Sequence, residues 1–361
     1  MIDTVTTLIS FVIVIGIIVF FHEFGHFIAA KLSGVRVEVF SLGFPPKMLG
    51  RKYGETEYQL AWIPLGGYVK MTGMLDESFD DEFNPNDPKA FANKNFLRRA
   101  FIITAGVLMN MSLAFLIYAS IIYIEGLGTI PDTSVSEVSA GSPAESAGIV
   151  PGDVIVAVAG QPVEEWSQLT DLVRASPNKP IPVSWQRGDS LLERIITPMA
   201  APAFNFDTSE RDTVGQLGVQ GTLVMEPVAL PTAVFYGAAQ VVGVIELNVI
   251  SIKLLITRKA GISDLSGPIG IAKMSGDRAR SGLVSFISFI AFISIAIGFL
   301  NILPIPMLDG GHLAFMVIEA VIRRPIPVKA KEYMMKAGLA ALLLLIIVVS
   351  YHDIVRVFFK G

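Results

Sequence analysis

The chain contains no cysteine, which excludes disulfide staples and any metal site built on thiolates. Charge is also scarce. Only 17% of its 361 residues are Asp, Glu, Lys or Arg, against about 25% in a typical soluble domain. The net charge of −4 leaves no basic excess for a nucleic-acid surface, so that class of partner is excluded. Basic residues are missing from the N-terminus as well: none precedes Lys31, and Asp3 is the only charge before His22. A cleaved signal peptide needs a basic leading region, so this segment reads as a retained membrane helix.

What is present is apolar length: 52% of residues are hydrophobic. The uncharged run from Val5 to Phe21, continued to Lys31, is long enough to span a bilayer, and so are Phe96 to Ile124 and Leu283 to Leu303. Ala337 to Ser350 becomes a span if it extends towards Phe359. The fold class expected is a polytopic α-helical membrane protein of about four spans. Ten Lys and Arg lie between Lys31 and Arg99, and five between Arg323 and Lys336. These basic links belong on the cytoplasmic side, with the N-terminus and the region after Glu125 opposite. The acidic run Asp76 to Asp87 reads as a solvated loop, since acids count little in that rule.

Within the first run stands His22-Glu23-Phe24-Gly25-His26. Residues four apart share a helix face, so His22 and His26 can aim two imidazoles at one ion. HExxH is a zinc-hydrolase pattern in which the Glu, here Glu23, serves as base towards water. Ionisable groups at membrane depth are costly and tend to mark function. Two His need a third ligand from elsewhere. After the third span the chain reads Asn301-Ile302-Leu303-Pro304-Ile305-Pro306-Met307-Leu308-Asp309-Gly310-Gly311. Its prolines break a regular helix, and its glycines allow unusual backbone angles beside the aspartate. Asp309 is the natural third ligand. Asn301 fits two roles, bonding to a substrate backbone or capping structure. His312 reads as structural, and His352 as out of reach.

The stretch Thr232 to Ile256 is long and apolar but carries Gln240, Glu246, Asn248 and Lys253. If it spanned, Asp309 would emerge on the face opposite His22 and His26. A surface position is therefore preferred, which leaves four spans. From Thr129 to about Val224 short β-rich runs alternate with turns, with a short helix at Trp166 to Ala175 and a strand at Ile181 to Trp185. The expected domains are 1–128 (membrane), 129–225 (a small soluble α+β insert) and 226–361 (membrane).

Ser142 to Ile149, followed by Pro151-Gly152-Asp153, resembles a PDZ domain, and Leu217-Gly218-Val219 its carboxylate-receiving loop. Such a groove binds a peptide C-terminus by strand addition; steric filtering is the alternative role. With HEFGH, the Asn301-to-Gly311 segment and this insert, the whole chain resembles the site-2 protease family, most closely its bacterial RseP-type regulators of sigma-factor signalling. The resemblance implies one Zn²⁺ per chain at His22, His26 and Asp309, Glu23 as catalytic base, and Asn301 holding substrate. It implies that Phe40 to Met71, with Ile63 to Lys70 and hence Gly66 and Gly67, forms a membrane-reentrant β-hairpin (region 36–71) whose edge pairs with substrate. The chain departs from the enterobacterial members in having room for one PDZ domain rather than two.

The function expected is a multi-pass zinc endopeptidase of the bacterial inner membrane. It would cut single-span proteins, such as anti-sigma factors and remnant signal peptides, after a first cut outside the membrane. Alternatives are an inactive PDZ scaffold and an ion-conducting protein.

Overall fold

The computed structural model describes residues 2–74, 84, 86–205 and 210–359. Most of the acidic run from Asp76 lies outside the described residues. Along the chain come α1 (Ile2–Leu32), β1 (Val37–Tyr53), β2 (Thr56–Met71), α2 (Phe96–Glu125), β3 (Leu127–Thr129), β4 (Val135–Val138), α3 (Pro143–Ala147), β5 (Val154–Val158) and β6 (Gln161–Pro162). Then follow α4 (Trp166–Arg174), β7 (Ile181–Arg187), β8 (Ser190–Ile196), β9 (Met199–Asn205), β10 (Glu210–Gln216), β11 (Val219–Gly221) and β12 (Val224–Glu226). The last five helices are α5 (Leu230–Ile256), α6 (Pro268–Arg280), α7 (Leu283–Asn301), α8 (Asp309–Ile322) and α9 (Val328–Phe359). Two compact units result, one of Met1–Ile121 with Val234–Gly361, the other Ile122–Ala233.

In the first unit, α1, α2, α5, α7 and α9 are each long and apolar enough to cross a membrane. Their outward residues, among them Leu8, Ile9, Leu108, Leu116, Leu344 and Ile347, stay exposed. Water would penalise such a surface; hydrocarbon does not. Inward, Val14 and Ile18 of α1 pack on Phe289, Ile290 and Ile293 of α7. Ala114 and Tyr118 of α2 meet Val241 and Val244 of α5 and Ala291 and Ile295 of α7. Helix α6 lies along the Thr7 end of α1, where a Cβ on Gly276 would stand 2.2 Å from the Thr7 hydroxyl. The buried Asp353 of α9 accepts the N–H groups of Gly267 and Gly270 at the start of α6, at 2.9 and 2.8 Å. That uses a carboxylate to satisfy orphan donors at a helix N-terminus.

The strand region is more folded than a plain hairpin. β1 pairs antiparallel with β2, but its middle is shared: Phe40 faces Val69 on one side and Tyr58 on the other, and Leu42 likewise faces Gly67 and Leu60. Leu49 to Tyr53 then pair with Leu60 to Thr56. Four segments therefore lie side by side, and 67–70 forms one edge, paired on one side only among the described residues.

The second unit is built on a four-stranded antiparallel sheet ordered β6-β5-β7-β8, with β9–β10, β4–β11 and β3–β12 as separate pairs. Its core holds Ile155, Val158, Val183, Trp185, Leu169, Val173 and Leu217. The helix at Trp166 and the strand at Ile181 stand where their sequence patterns lie. Asp153 is buried and held by a two-pronged contact: Arg187 Nε to Oδ1 at 2.7 Å and Nη2 to Oδ2 at 2.8 Å. Oδ2 also accepts the Val150 N–H.

The Arg187 guanidinium, helped by the Val150 N–H, holds the Asp153 carboxyl below its usual range. A depressed folded-state pKa gives stability that is present above about pH 4 and is lost as pH falls through the folded value. Asp153→Asn should lower the stability of this unit by about 2 kcal/mol and remove that acid dependence. Urea unfolding of the full-length protein, followed by tryptophan fluorescence across that pH range, measures both.

Candidate metal centre

His22, Glu23 and His26 stand on α1, ten, nine and six residues before its end at Leu32. The α-helical spacing puts the two imidazoles on one face, with ring centroids 4.8 Å apart. Both His are buried. Asp309 arrives from the first turn of α8, after the irregular link that follows α7. Its Oδ2 lies 3.1 Å from His22 Nε2 and 3.3 Å from His26 Nε2, and the two Nε2 atoms are 3.3 Å apart. Donors bound at about 2.0 Å on a tetrahedral ion stand ~3.3 Å from one another, so this triangle has the size a zinc ion requires. Asp309 Oδ2 is buried with no hydrogen-bond partner, as an oxygen reserved for a cation would be. Among the described residues, His22, His26 and Asp309 are the group able to hold a metal.

The tautomer of His26 is fixed by geometry. Its Nδ1 lies 2.8 Å from the Ile102 carbonyl oxygen on α2, which can only accept. Nδ1 therefore carries the proton, and Nε2 keeps its lone pair for the metal. On His22, Nδ1 faces the Asn110 amide of α2 at 3.3 Å.

Helix α2 comes this close because two glycines permit it. A Cβ on Gly25 would stand 2.4 Å from the Ala105 carbonyl oxygen, and one on Gly106 would stand 2.3 Å from His26 Nε2. Small residues at a helix contact let backbones approach, as is usual between membrane helices. Gly106 and Asn110 were not singled out in the sequence, where they sit inside a stretch that reads simply as a span. The glycines after Asp309 act differently from the expectation. Gly310 and Gly311 are helical residues, and it is Met307 that takes a positive φ, of 81°. Gly310 is required because a Cβ there would stand 2.2 Å from the Ile302 and Leu303 carbonyl oxygens.

The three donors open into a cavity of about 580 Å³ lined by Glu23, Gly66, Gly67, Tyr68, Val69, Asn301 and His312, among others. Gly67 brings its backbone against Glu23; a Cβ there would meet Glu23 Cγ at 3.1 Å. Asn301 Nδ2 lies 3.4 Å from His22 Nε2. His312, one turn after Asp309, lines the cavity wall, whereas His352 turns to the Val348 carbonyl of its own helix. In the second unit, Leu217 is buried, Gly218 has a φ of 80°, and Val219 starts β11 opposite Val138. These three border a separate cavity of about 410 Å³ together with Trp166, Leu169 and Val173 of α4.

A His-His-Asp triangle beside a glutamate, within a bundle of membrane-length helices, defines a membrane-embedded metallohydrolase. The chain belongs to Peptidase family M50, whose profile matches residues 10–345. It is a zinc metalloprotease of the site-2 type and a multi-pass membrane protein. A Clostridium acetobutylicum protein, provisionally named a zinc metalloprotease, is 33% identical over 95% of this chain and 96% of its own length. The regulator of sigma-W protease RasP of Bacillus subtilis is 28% identical over 98% of this chain and 99% of its own. The zinc metalloprotease RasP of Oceanobacillus iheyensis is 29% identical over 98% and 100%.

Gly106→Ala should push a methyl group into the donor triangle and lower zinc content roughly tenfold or more. Gly16→Ala, on the same helix as the histidines but with nothing within 4 Å, should leave zinc content unchanged. Metal analysis of the two purified variants checks this.

Proposed function

We propose that this chain cleaves single-span membrane proteins within or near their span, with His22, His26 and Asp309 holding one Zn²⁺ and Glu23 as catalytic base. The observation that carries the reading is the donor triangle opening into a cavity whose rim is a sheet edge. Zinc held by these three residues would supply a Lewis acid and lower the pKa of water there towards about 7. Glu23, which lines the same cavity, would accept a proton from the attacking water and pass it to the leaving amine. The backbone of 67–69 offers its outer edge to an unwound substrate segment, with Gly66 and Gly67 in the wall of the same cavity. The Asn301 amide, beside His22 Nε2, donates to the substrate backbone or its carbonyl oxygen.

The Bacillus subtilis relative, named a regulator of sigma-W protease, supports an anti-sigma factor type of substrate, and remnant signal peptides share the same single-span chemistry. In this reading the substrate has already been trimmed outside the membrane. The second unit is a PDZ-like domain with Leu217, Gly218 and Val219 at its groove. The carbonyls of Leu217 and Gly218 accept the N–H groups of Ala144 and Ser139. Trans peptide planes then turn the Gly218 and Val219 N–H groups the opposite way, as a bound carboxylate would need.

The reading includes four spans, α1, α2, α7 and α9, with α5 lying along the membrane surface rather than crossing. Support comes from chain length. The Ser263 carbonyl accepts from Arg356, and Gly276 lies against Thr7, so the chain after α5 is already at the Thr7 end of the bundle. Seven residues from Ile256 to Ser263 reach at most about 25 Å. A helix that had crossed the ~30 Å hydrocarbon layer would end too far away. The basic links near Leu32 and Arg323 put the active site towards the cytoplasm and the N-terminus and PDZ-like domain on the other face.

Glu23→Gln should keep one zinc per chain while cleavage falls by about 10²–10⁴-fold. Proteomics of membrane fractions should then show trimmed single-span stubs accumulating relative to wild type. Unchanged processing in that variant would overturn the proposal.

A further inference from the structure

Asn110 is wholly buried, although it is a polar residue in a membrane-length helix. It follows Gly106 by one turn of α2 and so faces the same side, towards α1. Its neighbourhood is tightly built. The buried Ser294 of α7 donates from its hydroxyl to the Asn110 carbonyl oxygen at 3.0 Å, and a Cβ on Gly298 would touch Asn110 Cβ at 3.3 Å. The side-chain amide meets His22 Nδ1 at 3.3 Å, while its Oδ1 is buried with no hydrogen-bond partner.

These contacts conflict with His22 as a metal ligand unless the amide is turned. A neutral imidazole carries one N–H. If His22 Nε2 gives its lone pair to zinc, Nδ1 carries the proton and needs an acceptor. An Asn110 Nδ2 pointed at it would set two donors face to face and leave Oδ1 orphaned, each at a cost in a buried site. Oxygen and nitrogen of an amide are interchangeable by a half-turn of the side chain. That half-turn removes the clash of donors and gives the Nδ1–H its acceptor, leaving the amide NH2 as the one unmatched group.

We propose that Asn110 is a positioning residue for the metal centre: its Oδ1 accepts the Nδ1–H of His22 and fixes that ring's tautomer and orientation. The inference rests on the reading of His22 as a ligand. It completes a symmetry in the site. Each histidine then gives its outer N–H to α2, His26 to the Ile102 carbonyl and His22 to the Asn110 side chain. Helix α2 would thus support the metal without supplying a ligand, as outer acceptors of zinc-binding histidines do.

The test compares zinc retention by full-length protein against a competing chelator for Asn110→Leu and Asn110→Asp, with His22→Ala as reference. Asn110→Leu has similar bulk and no acceptor, and should weaken zinc by roughly 10–100-fold. Asn110→Asp offers only acceptor oxygens and should retain zinc as well as wild type or better. If Asn110→Asp loses zinc, the amide acts as a donor and the inference fails; this arm decides even where Asn110→Leu does not fold. If Asn110→Leu folds and retains zinc fully, the inference also fails. Should His22→Ala keep its zinc, it is the ligand assignment that fails.

Discussion

The close crossing of α1 and α2 is the constraint on which the rest of the structure depends. Two imidazoles have to stand inside an apolar bundle with their lone pairs converging and their outer N–H groups satisfied. Neither need can be met by α1, whose backbone groups are used by its own turns, nor by lipid. Gly25 and Gly106 remove the side chains that would hold the two helices apart. The Ile102 carbonyl, which has a second lone pair beyond its helical bond, then comes within 2.8 Å of His26. The same approach brings Asn110 to His22. A Cβ at either glycine would therefore disturb the donors, their outer partners and the space between them together.

The other half of the centre has the opposite character. Helix α7 stops at Asn301, and the chain runs irregularly to α8 at Asp309. Irregular backbone at this depth survives only where protein or a polar cavity covers it. Both are present here. Gly338 of α9 lies so close that a Cβ would stand 2.5 Å from the Pro306 carbonyl oxygen, and Gly310 and Gly311 of α8 crowd the carbonyls of Ile302, Leu303 and Ile305. The turn is clamped on two sides, and its remaining side faces the cavity. A rigid helix pair supplies two donors and a clamped turn supplies the third.

How much of this could be read from the sequence follows from how local each signal is. HEFGH is legible because i,i+4 spacing is itself a statement about a helix face. Asp309 is legible because two prolines and two glycines announce broken backbone just after an apolar run. The α1–α2 contact is not. Gly106 and Asn110 each read as a mildly unusual residue in a span, and their meaning lies in histidine partners 80 to 88 positions away along the chain. The strand-like alternation of Phe40 to Met71 was visible, but not that Phe40 and Leu42 have neighbours on both sides, since alternation fixes faces and says nothing of strand order. Helix α6 escaped notice because Gly270, Lys273, Gly276 and Asp277 interrupt any apolar pattern. Its place is set by contact with Thr7 and Asp353 rather than by its own periodicity.

The sheet edge and the metal centre have a geometric relation that bears on where a substrate is cut. In an extended segment, successive residues point their N–H and C=O groups to opposite edges. A substrate strand laid along 67–69 satisfies every second residue by pairing, and each unpaired residue between them aims its carbonyl the other way. Left bare in hydrocarbon, such a carbonyl costs several kcal/mol. Under the proposed docking it would meet Asn301 and the donor triangle instead, since both line the same cavity. The residues that the sheet cannot satisfy would then be the ones offered for hydrolysis. Sliding the substrate by one residue would exchange the two sets, and sliding it by two would restore the pairing at a new bond. In the proposed function the register of strand pairing, rather than a deep pocket for one side chain, would therefore select the scissile bond.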